Sequence, residues 1–429
     1  MRALKLCIVG GGSTYTPELI DGFARLRDTL PIGEIVLIDP AADRLELIAG
    51  LARRIFAKQG HQATVSTATS VADGVDGADA VLLQLRIGGQ AARNEDERWP
   101  LECGCVGQET TGAGGLAKAL RTVPVVLDIA EQVRRANPDA WIIDFTNPVG
   151  IVTRALQSAG HKAVGLCNVA IGFQRKFAAH LGVDPELILL DHVGLNHLTW
   201  VRGVTVLDHP GAGTGHEALP KLLADFGADI AADVRLPLAL IQRLGVVPSY
   251  YLRYFYQHDV VVEESATTGS RAAEVAAIER ELLDMYADPT LDTKPELLGQ
   301  RGGAFYSEAA VQLLAALLGT GGGTTVQVVN TRNDGVLPFL PDDAVIEVPA
   351  AVDAAGVRPL PQHPIEPLFA GLIAHVTAYE QLAVQAALEG SRDRVFRALL
   401  AHPLIGQNEL ADQLTDRLIA HNRAYLGWA

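Results

Sequence analysis

Short apolar runs alternate with amphipathic stretches through the first 170 residues. "LKLCIV" (4–9) runs into glycines, and "TPELIDGFARL" (16–26) follows with apolar residues at helical spacing, which predicts strand, tight turn and helix. "EIVLIDP" (34–40) reads as a second buried strand with an acid at its carboxyl end, and "AADRLELIAGLARRIFAKQ" (41–59) has the helical period. "ADAVLLQL" (78–85), "AWIIDFTNP" (140–148) and "KAVGLCN" (162–168) continue the strands, with the helix-patterned "TVPVVLDIAEQVRRAN" (122–137) among them. Strands alternating with helices predict an α/β fold, a Rossmann-like doubly wound parallel sheet over residues 1–169. Beyond residue 170 come long helical patterns, "SRAAEVAAIERELLDMYA" and "SEAAVQLLAALLG", and the strand candidates "TVQVVN" and "AVIEVP". These predict a second, mainly helical α+β domain over residues 170–429.

The first turn carries the candidate chemistry. Gly10 and Gly12 stand where backbone turns tightly against a pyrophosphate, Ser13 and Thr14 follow, and Tyr15 occupies the place of a third glycine. Asp39 ends the second strand, where it can accept hydrogen bonds from an adenosine ribose and repel the extra phosphate of NADP. The turn therefore predicts NAD as cofactor; a glycine-rich turn that binds nothing is the alternative.

Composition narrows the partners. A formal charge of −15 over 429 residues repels nucleic-acid phosphates, and no apolar run reaches the length of a membrane span. Four cysteines, Cys7, Cys103, Cys105 and Cys167, are too few for a disulfide scaffold. A cytoplasmic protein with no nucleic-acid or membrane partner is the expectation. Read alone, Cys167 is a small buried hydrophobe and His197 a core histidine, while together they offer a thiolate and an imidazole to a metal with open positions.

Several ordered stretches then add a family likeness. "GGGSTYTPELI", "QLRIGGQAARNEDE", "GQETTGAGG", "IIDFTNPVGIVTRAL" leading to "VGLCNVAIG", "GLNHLTW", "VPSYYLRYFY", "RGGAFYS" and "NDGVLPFLPDDAVIEVP" together resemble glycoside hydrolase family 4, the NAD-dependent glycosidases. The resemblance implies NAD and a divalent metal, usually Mn2+, with Cys167 and His197 as its protein ligands. It also implies hydride removal from the sugar C3 to NAD, abstraction of the C2 proton, elimination of the aglycone, addition of water and return of the hydride. Tyr251 matches the family base, with Tyr250 as its confusable neighbour. The four tyrosines of "SYYLRYFY" otherwise read as aromatic packing, so one at most is essential. Asn147 and Asn168 are implied at the sugar, and the asparagine at 168, where α-glycosidase members often carry aspartate, points to the β branch. Arg86, Arg93 and Arg271 resemble the family's arginines for a 6-phosphate, Arg271 being preferred, with Ser13 contributing from the turn. Arg93 alternatively pairs with its neighbours Glu95 and Asp96. Glu109 reads as a polar partner of the site, a solvated loop acid or a helix cap. The resulting expectation is a 6-phospho-β-glucosidase-like enzyme acting on a small 6-phosphorylated β-glycoside, as a homodimer or homotetramer. The rivals are a net dehydrogenase of the lactate or malate type and a non-catalytic sensor of NAD or sugar phosphate.

Overall fold

The computed structural model describes residues 3–303 and 305–429. Six parallel strands form its centre: β1 (Leu4–Val9), β2 (Ile32–Ile38), β3 (Thr64–Ala68), β4 (Ala80–Leu83), β5 (Trp141–Asp144) and β6 (Ala163–Gly165). They lie in the order β3-β2-β1-β4-β5-β6, the doubly wound arrangement with its switch point between β1 and β4. A smaller antiparallel sheet holds β7 (Ile188–Leu195), β8 (Leu198–Leu207), β9 (Gly215–Glu217) and β10 (Val247–Pro248). Because helices cover both faces, β1 reads as one apolar run. Leu6 and Ile8 feed one core with Phe23, Ile48 and Phe56, while Cys7 and Val9 feed the other with Leu116, Val123 and Ile151.

The strand candidates beyond residue 170 join the first sheet. Strands β11 (Thr325–Arg332), β12 (Val345–Asp353) and β13 (Gly356–Pro359) extend it antiparallel past β6, and Asn330 pairs with Gly165. A division at residue 170 thus separates stretches of sequence and not sheets. The physical reason is the three-residue β6, whose outer edge would otherwise present unpaired backbone groups.

One helix is longer than its pattern suggested. The prediction began at Thr122, but the helix runs Gly112–Ala136, with Pro124 inside it. Its first turns must slide beneath other backbone: a Cβ on Gly114 would lie 2.4 Å from the carbonyl oxygens of Asp96 and Gln108. The glycines that argue against a helix locally are required by this approach.

Helix Pro367–Glu389 packs across the chain and buries Glu380, 5% exposed, whose Oε2 has no hydrogen-bond partner. Burial, only partly opposed by Arg154, pushes its carboxyl up to about 8. The native state then holds a proton that the unfolded chain releases near 4.5, so stability falls as pH rises from there to about 8. Glu380→Gln is expected to stabilise the protein by about 1–3 kcal/mol at pH 8, with the gain shrinking toward pH 5. Denaturant unfolding at the two pH values checks this; an equal effect at both would remove the titration argument.

Candidate active site

One cavity of about 500 Å3 runs from the first glycine turn to the mouth of the hairpin between β7 and β8. At its nucleotide end, Gly10 has φ +85°, and a Cβ there would sit 2.7 Å from the Gln84 carbonyl oxygen. The conformation and the contact both require glycine. Gly12, Ser13 and Asp39 line the same end. The Asp39 carboxylate accepts the backbone amides of Gly12 (3.2 Å) and Ala41 (3.0 Å), which fixes it at the tip of β2. Thr14 departs from expectation: its side chain is buried, does not line the cavity, and donates its hydroxyl proton to Glu279 Oε1 at 3.2 Å.

Tyr15 explains the missing third glycine. Its hydroxyl donates to the Gly303 carbonyl, the Arg301 guanidinium lies 5.6 Å from its ring centre, and Tyr306 meets it edge-on at 6.1 Å. The residue after the turn thereby ties helix Thr16–Arg25 to the 301–303 segment, which forms a cavity wall. Arg301 is paired with Glu279 at 3.0 Å, and Arg44 donates from Nε to the Gly12 carbonyl at 2.6 Å. Both arginines line the cavity, and neither was singled out from sequence. Arg301 does stand in the quoted "RGGAFYS", which is the signal that could have found it.

A charge cluster forms the middle of the cavity. Glu109 is 7% exposed and accepts from Arg86 and Lys118, with Arg93 Nε 3.3 Å from its other oxygen. It is neither a solvated loop acid nor a cap. Burial opposes its ionisation, but the three cations outweigh burial and hold its carboxyl well below the usual range. Arg93 pairs with Glu97 at 2.7 Å as well, whereas Asp96 goes to Arg121 at 2.6 Å. Lys118, missed in the sequence, is pushed down to about 7 by burial and then by Arg86, despite Glu109. Arg86, Arg93, Lys118 and Arg301 face one volume, and among the described residues only Glu109, Glu97 and Glu279 pair with them, an arrangement suited to an anion. Arg271 lies elsewhere. It opens helix Arg271–Tyr286 behind the cap Ser270, its side chain is 42% exposed, and it binds Glu274 and the Gln300 carbonyl outside the cavity.

The far end gathers Asn147, Asn168, His197, Tyr251 and Tyr306. Asn147 leaves β5 ahead of a cis peptide to Pro148, and its Oδ1 is buried without a hydrogen-bond partner. His197 sits at the tip of the β7–β8 hairpin with φ +61°, and burial pushes its imidazole down to about 4, so the ring is neutral. Its face stacks on the Tyr251 ring, centres 3.5 Å apart and 7° from parallel, and its Nδ1 lies 2.8 Å from Thr110 Oγ1. Of the four clustered tyrosines, Tyr251 alone lines the cavity. Tyr250 receives Arg253, Tyr256 receives the Trp200 indole at 3.1 Å, and buried Tyr254 meets the Tyr250 ring edge-on at 6.1 Å. Burial pushes the Tyr251 phenol well above its ordinary value.

Cys167 is buried at the end of β6, one residue before Asn168, and its thiol contacts the Asn196 and Tyr306 side chains and the Val169 amide. It stands behind the cavity wall and does not line the open volume. Burial and then the Glu347 carboxylate push the thiol up, which keeps it protonated unless a cation competes for the sulfur. Among the described residues no group of three or more His, Cys, Asp or Glu side chains converges as a closed metal site does. One thiol, one neutral imidazole and the unpartnered Asn147 oxygen fit a divalent ion that completes its shell with ligand oxygens.

Comparison with known proteins agrees with this arrangement. The model of the family 4 glycosyl hydrolases matches residues 5–183, and the model of their C-terminal domain matches residues 192–405. The chain is 34% identical over 442 aligned positions to the 6-phospho-beta-glucosidase of Escherichia coli K12, covering 98% of this chain and 96% of that one. Among solved structures, the 6-phospho-beta glucosidase from Thermotoga maritima with NAD and glucose-6-phosphate superposes with a TM-score of 0.91 at 32% identity, over 99% of each chain. The same enzyme with manganese, NAD+ and glucose-6-phosphate gives 0.89, again over 99% of each. A glycine turn with its acid at one end of a cavity, and at the other an imidazole stacked on a tyrosine with a thiol behind the wall, are set on a doubly wound sheet because the chain belongs to family 4 of the glycosyl hydrolases.

Proposed function

We propose that the protein hydrolyses 6-phospho-β-glucosides, using bound NAD and a divalent cation of the Mn2+ class. The observation that carries this reading is the continuity of the cavity from the Gly10–Gly12 turn, past the Arg86–Arg93–Lys118 cluster, to the His197–Tyr251 stack. The Escherichia coli and Thermotoga maritima relatives support the substrate class, and the Thermotoga maritima structures support both cofactors. When bound, NAD and the cation supply reversible hydride exchange at C3 and polarisation of the oxygen there, which acidifies the C2 hydrogen.

The chain's own groups do the rest. Gly10, Gly12, Ser13 and Asp39 hold the dinucleotide, with Arg44 on the same turn. Cys167 and His197 hold the cation, and Asn147 and Asn168 orient sugar hydroxyls at the open end. Arg86, Arg93 and Lys118 hold the 6-phosphate, joined by Arg301, and Glu109 keeps their positive charge from repelling itself apart. Arg271 does not line this cavity within the single chain. Tyr251 removes the C2 proton. Burial, and then the neighbouring Cys167, Tyr254 and Glu109, raise its phenol, and positive charge held at His197 acts in the opposite sense.

The dehydrogenase rival calls for a histidine paired with a carboxylate in the site. His197 is paired with Thr110 instead, and the buried pair His192–Glu347 lies outside the cavity. The reading extends to a cytoplasmic homo-oligomer. Four unpaired cysteines fit a reducing compartment, no described helix is long and apolar enough to cross a membrane, and Leu368 and Leu388 expose apolar surface on one helix.

Turnover of an aryl 6-phospho-β-glucoside in heavy water, with catalytic NAD and Mn2+, tests the function. Deuterium at C2 of the released glucose 6-phosphate is expected. Hydrolysis that leaves C2 unlabelled would mean direct displacement, and stoichiometric NADH from a hydroxy acid would restore the dehydrogenase.

A further inference from the structure

The geometry points to Thr110, backed by Gln108, as a positioning residue that locks His197 in the tautomer protonated at Nδ1, so that Nε2 offers its lone pair to a divalent cation. The inference rests on the reading of His197 as a metal ligand and adds what makes it one.

A short chain of hydrogen bonds fixes where each proton sits. The backbone N–H of Thr110 donates to the side chain of Gln108. An amide N–H cannot donate to an NH2 group, so the receiving atom is the Gln108 oxygen. That oxygen also lies 2.8 Å from Thr110 Oγ1. Two oxygens at that distance need a proton between them, and the carbonyl has none to give, so the threonine hydroxyl spends its single proton there. Toward His197 Nδ1, also at 2.8 Å, Oγ1 is left with lone pairs only. The proton of that contact therefore sits on Nδ1. An imidazole that ligates a cation through one nitrogen carries its proton on the other, and here the protein has settled which.

Orientation is fixed along with protonation. The Tyr251 ring at 3.5 Å sets the plane of the imidazole, and Thr110 prevents the half-turn that would exchange Nδ1 with a carbon. Thr110 is itself held at the start of helix Gly112–Ala136, where the Gly112 amide donates to buried His402 at 3.1 Å. Nothing in the local pattern of "GQETTG" distinguishes this threonine from the helix cap beside it.

The test compares Thr110→Val, which keeps the shape and removes the acceptor, with Thr110→Ser, which keeps the acceptor. Mn2+ binding to protein saturated with NAD and glucose 6-phosphate is measured by electron paramagnetic resonance, with thermal melting as the check on folding. Thr110→Val is expected to weaken Mn2+ binding about 10- to 100-fold, and Thr110→Ser to restore it to near the parent value. In cation-free protein with 15N-labelled histidine, His197, identified by loss of its signals in His197→Gln, is expected to show a protonated Nδ1. Thr110→Val is expected to shift it toward the other tautomer. A folded Thr110→Val protein with parental Mn2+ affinity, or a His197 protonated at Nε2 in the parent, overturns the proposal. Should His197→Gln bind Mn2+ as tightly as the parent while the Nδ1 tautomer stands, the failure belongs to the reading of His197 as a ligand.

Discussion

Tyr251→Phe is expected to lower kcat by about 10²- to 10⁴-fold, the usual contribution of a positioned general base, while leaving glucose 6-phosphate and Mn2+ binding close to those of the parent. Phenylalanine keeps the ring that stacks on His197 at 3.5 Å, so the hairpin tip that presents the imidazole stays in place. Only the hydroxyl is lost, and with it the acceptor for the C2 proton. Deuterium incorporation at C2 should fall in step with hydrolysis. Tyr250→Phe and Tyr254→Phe remove hydroxyls that do not line the cavity and should leave kcat of the parental order. If Tyr251→Phe retains more than a tenth of the parental kcat, the proton goes elsewhere; if Tyr250→Phe is the crippled variant, the match of motif to residue was off by one. Tyr251→Ala removes the stack as well and should raise the Mn2+ dissociation constant, which separates the ring's two duties.

How much of this was legible in the sequence depends on whether the controlling contacts are local. The strand, turn and acid of the nucleotide end were readable because β1 and β2 are buried on both faces and so appear as unbroken apolar runs. The addition of β11 to β6 was not, since it depends on pairing Asn330 with Gly165, 165 positions away along the chain. Asn147, Asn168 and His197 reached the cavity because each sits beside the end of an element or in a hairpin tip, and Tyr251 reaches it from the single turn Tyr250–Leu252. Thr14 did not, although it adjoins the turn, because its side chain faces Glu279 on a distant helix. The two arginines show the limit most clearly. Arg271 and Arg301 both stand in family-like motifs, yet Ser270 caps the helix so that Arg271 emerges at the surface, whereas Glu279 and Tyr15 draw Arg301 inward. Lys118 drew no notice, since the helix predicted from the sequence began only at Thr122 and the glycines ahead of Lys118 hid the turns that bury it.

The buried cluster around Glu109 sets up the other large effect. Glu109→Gln is expected to destabilise the free protein by about 3–5 kcal/mol, because it leaves Arg86, Arg93 and Lys118 facing one another, with Glu97 neutralising only Arg93. The pH dependence identifies the cause. In the parent, burial already pushes Lys118 down to about 7, and losing the carboxylate that supports its charge pushes it lower. Below pH 7 the parent keeps that proton through Glu109, while the variant either pays to retain it or loses it; above about pH 9 Lys118 is neutral in both folded proteins. The destabilisation should therefore be greater at pH 6 than at pH 9, whereas Glu109 itself, ionised in folded and unfolded states across that range, adds no slope. An anion in the cavity should stand in for the missing carboxylate. Inorganic phosphate at millimolar concentration is expected to raise the melting temperature of Glu109→Gln more than that of the parent, since it meets Arg86 and Lys118 freed of their carboxylate and Arg93 left with Glu97 alone. Equal phosphate effects on the two proteins, or a destabilisation independent of pH, would show that Glu109 serves packing alone and that the sugar's phosphate is gripped at some other place.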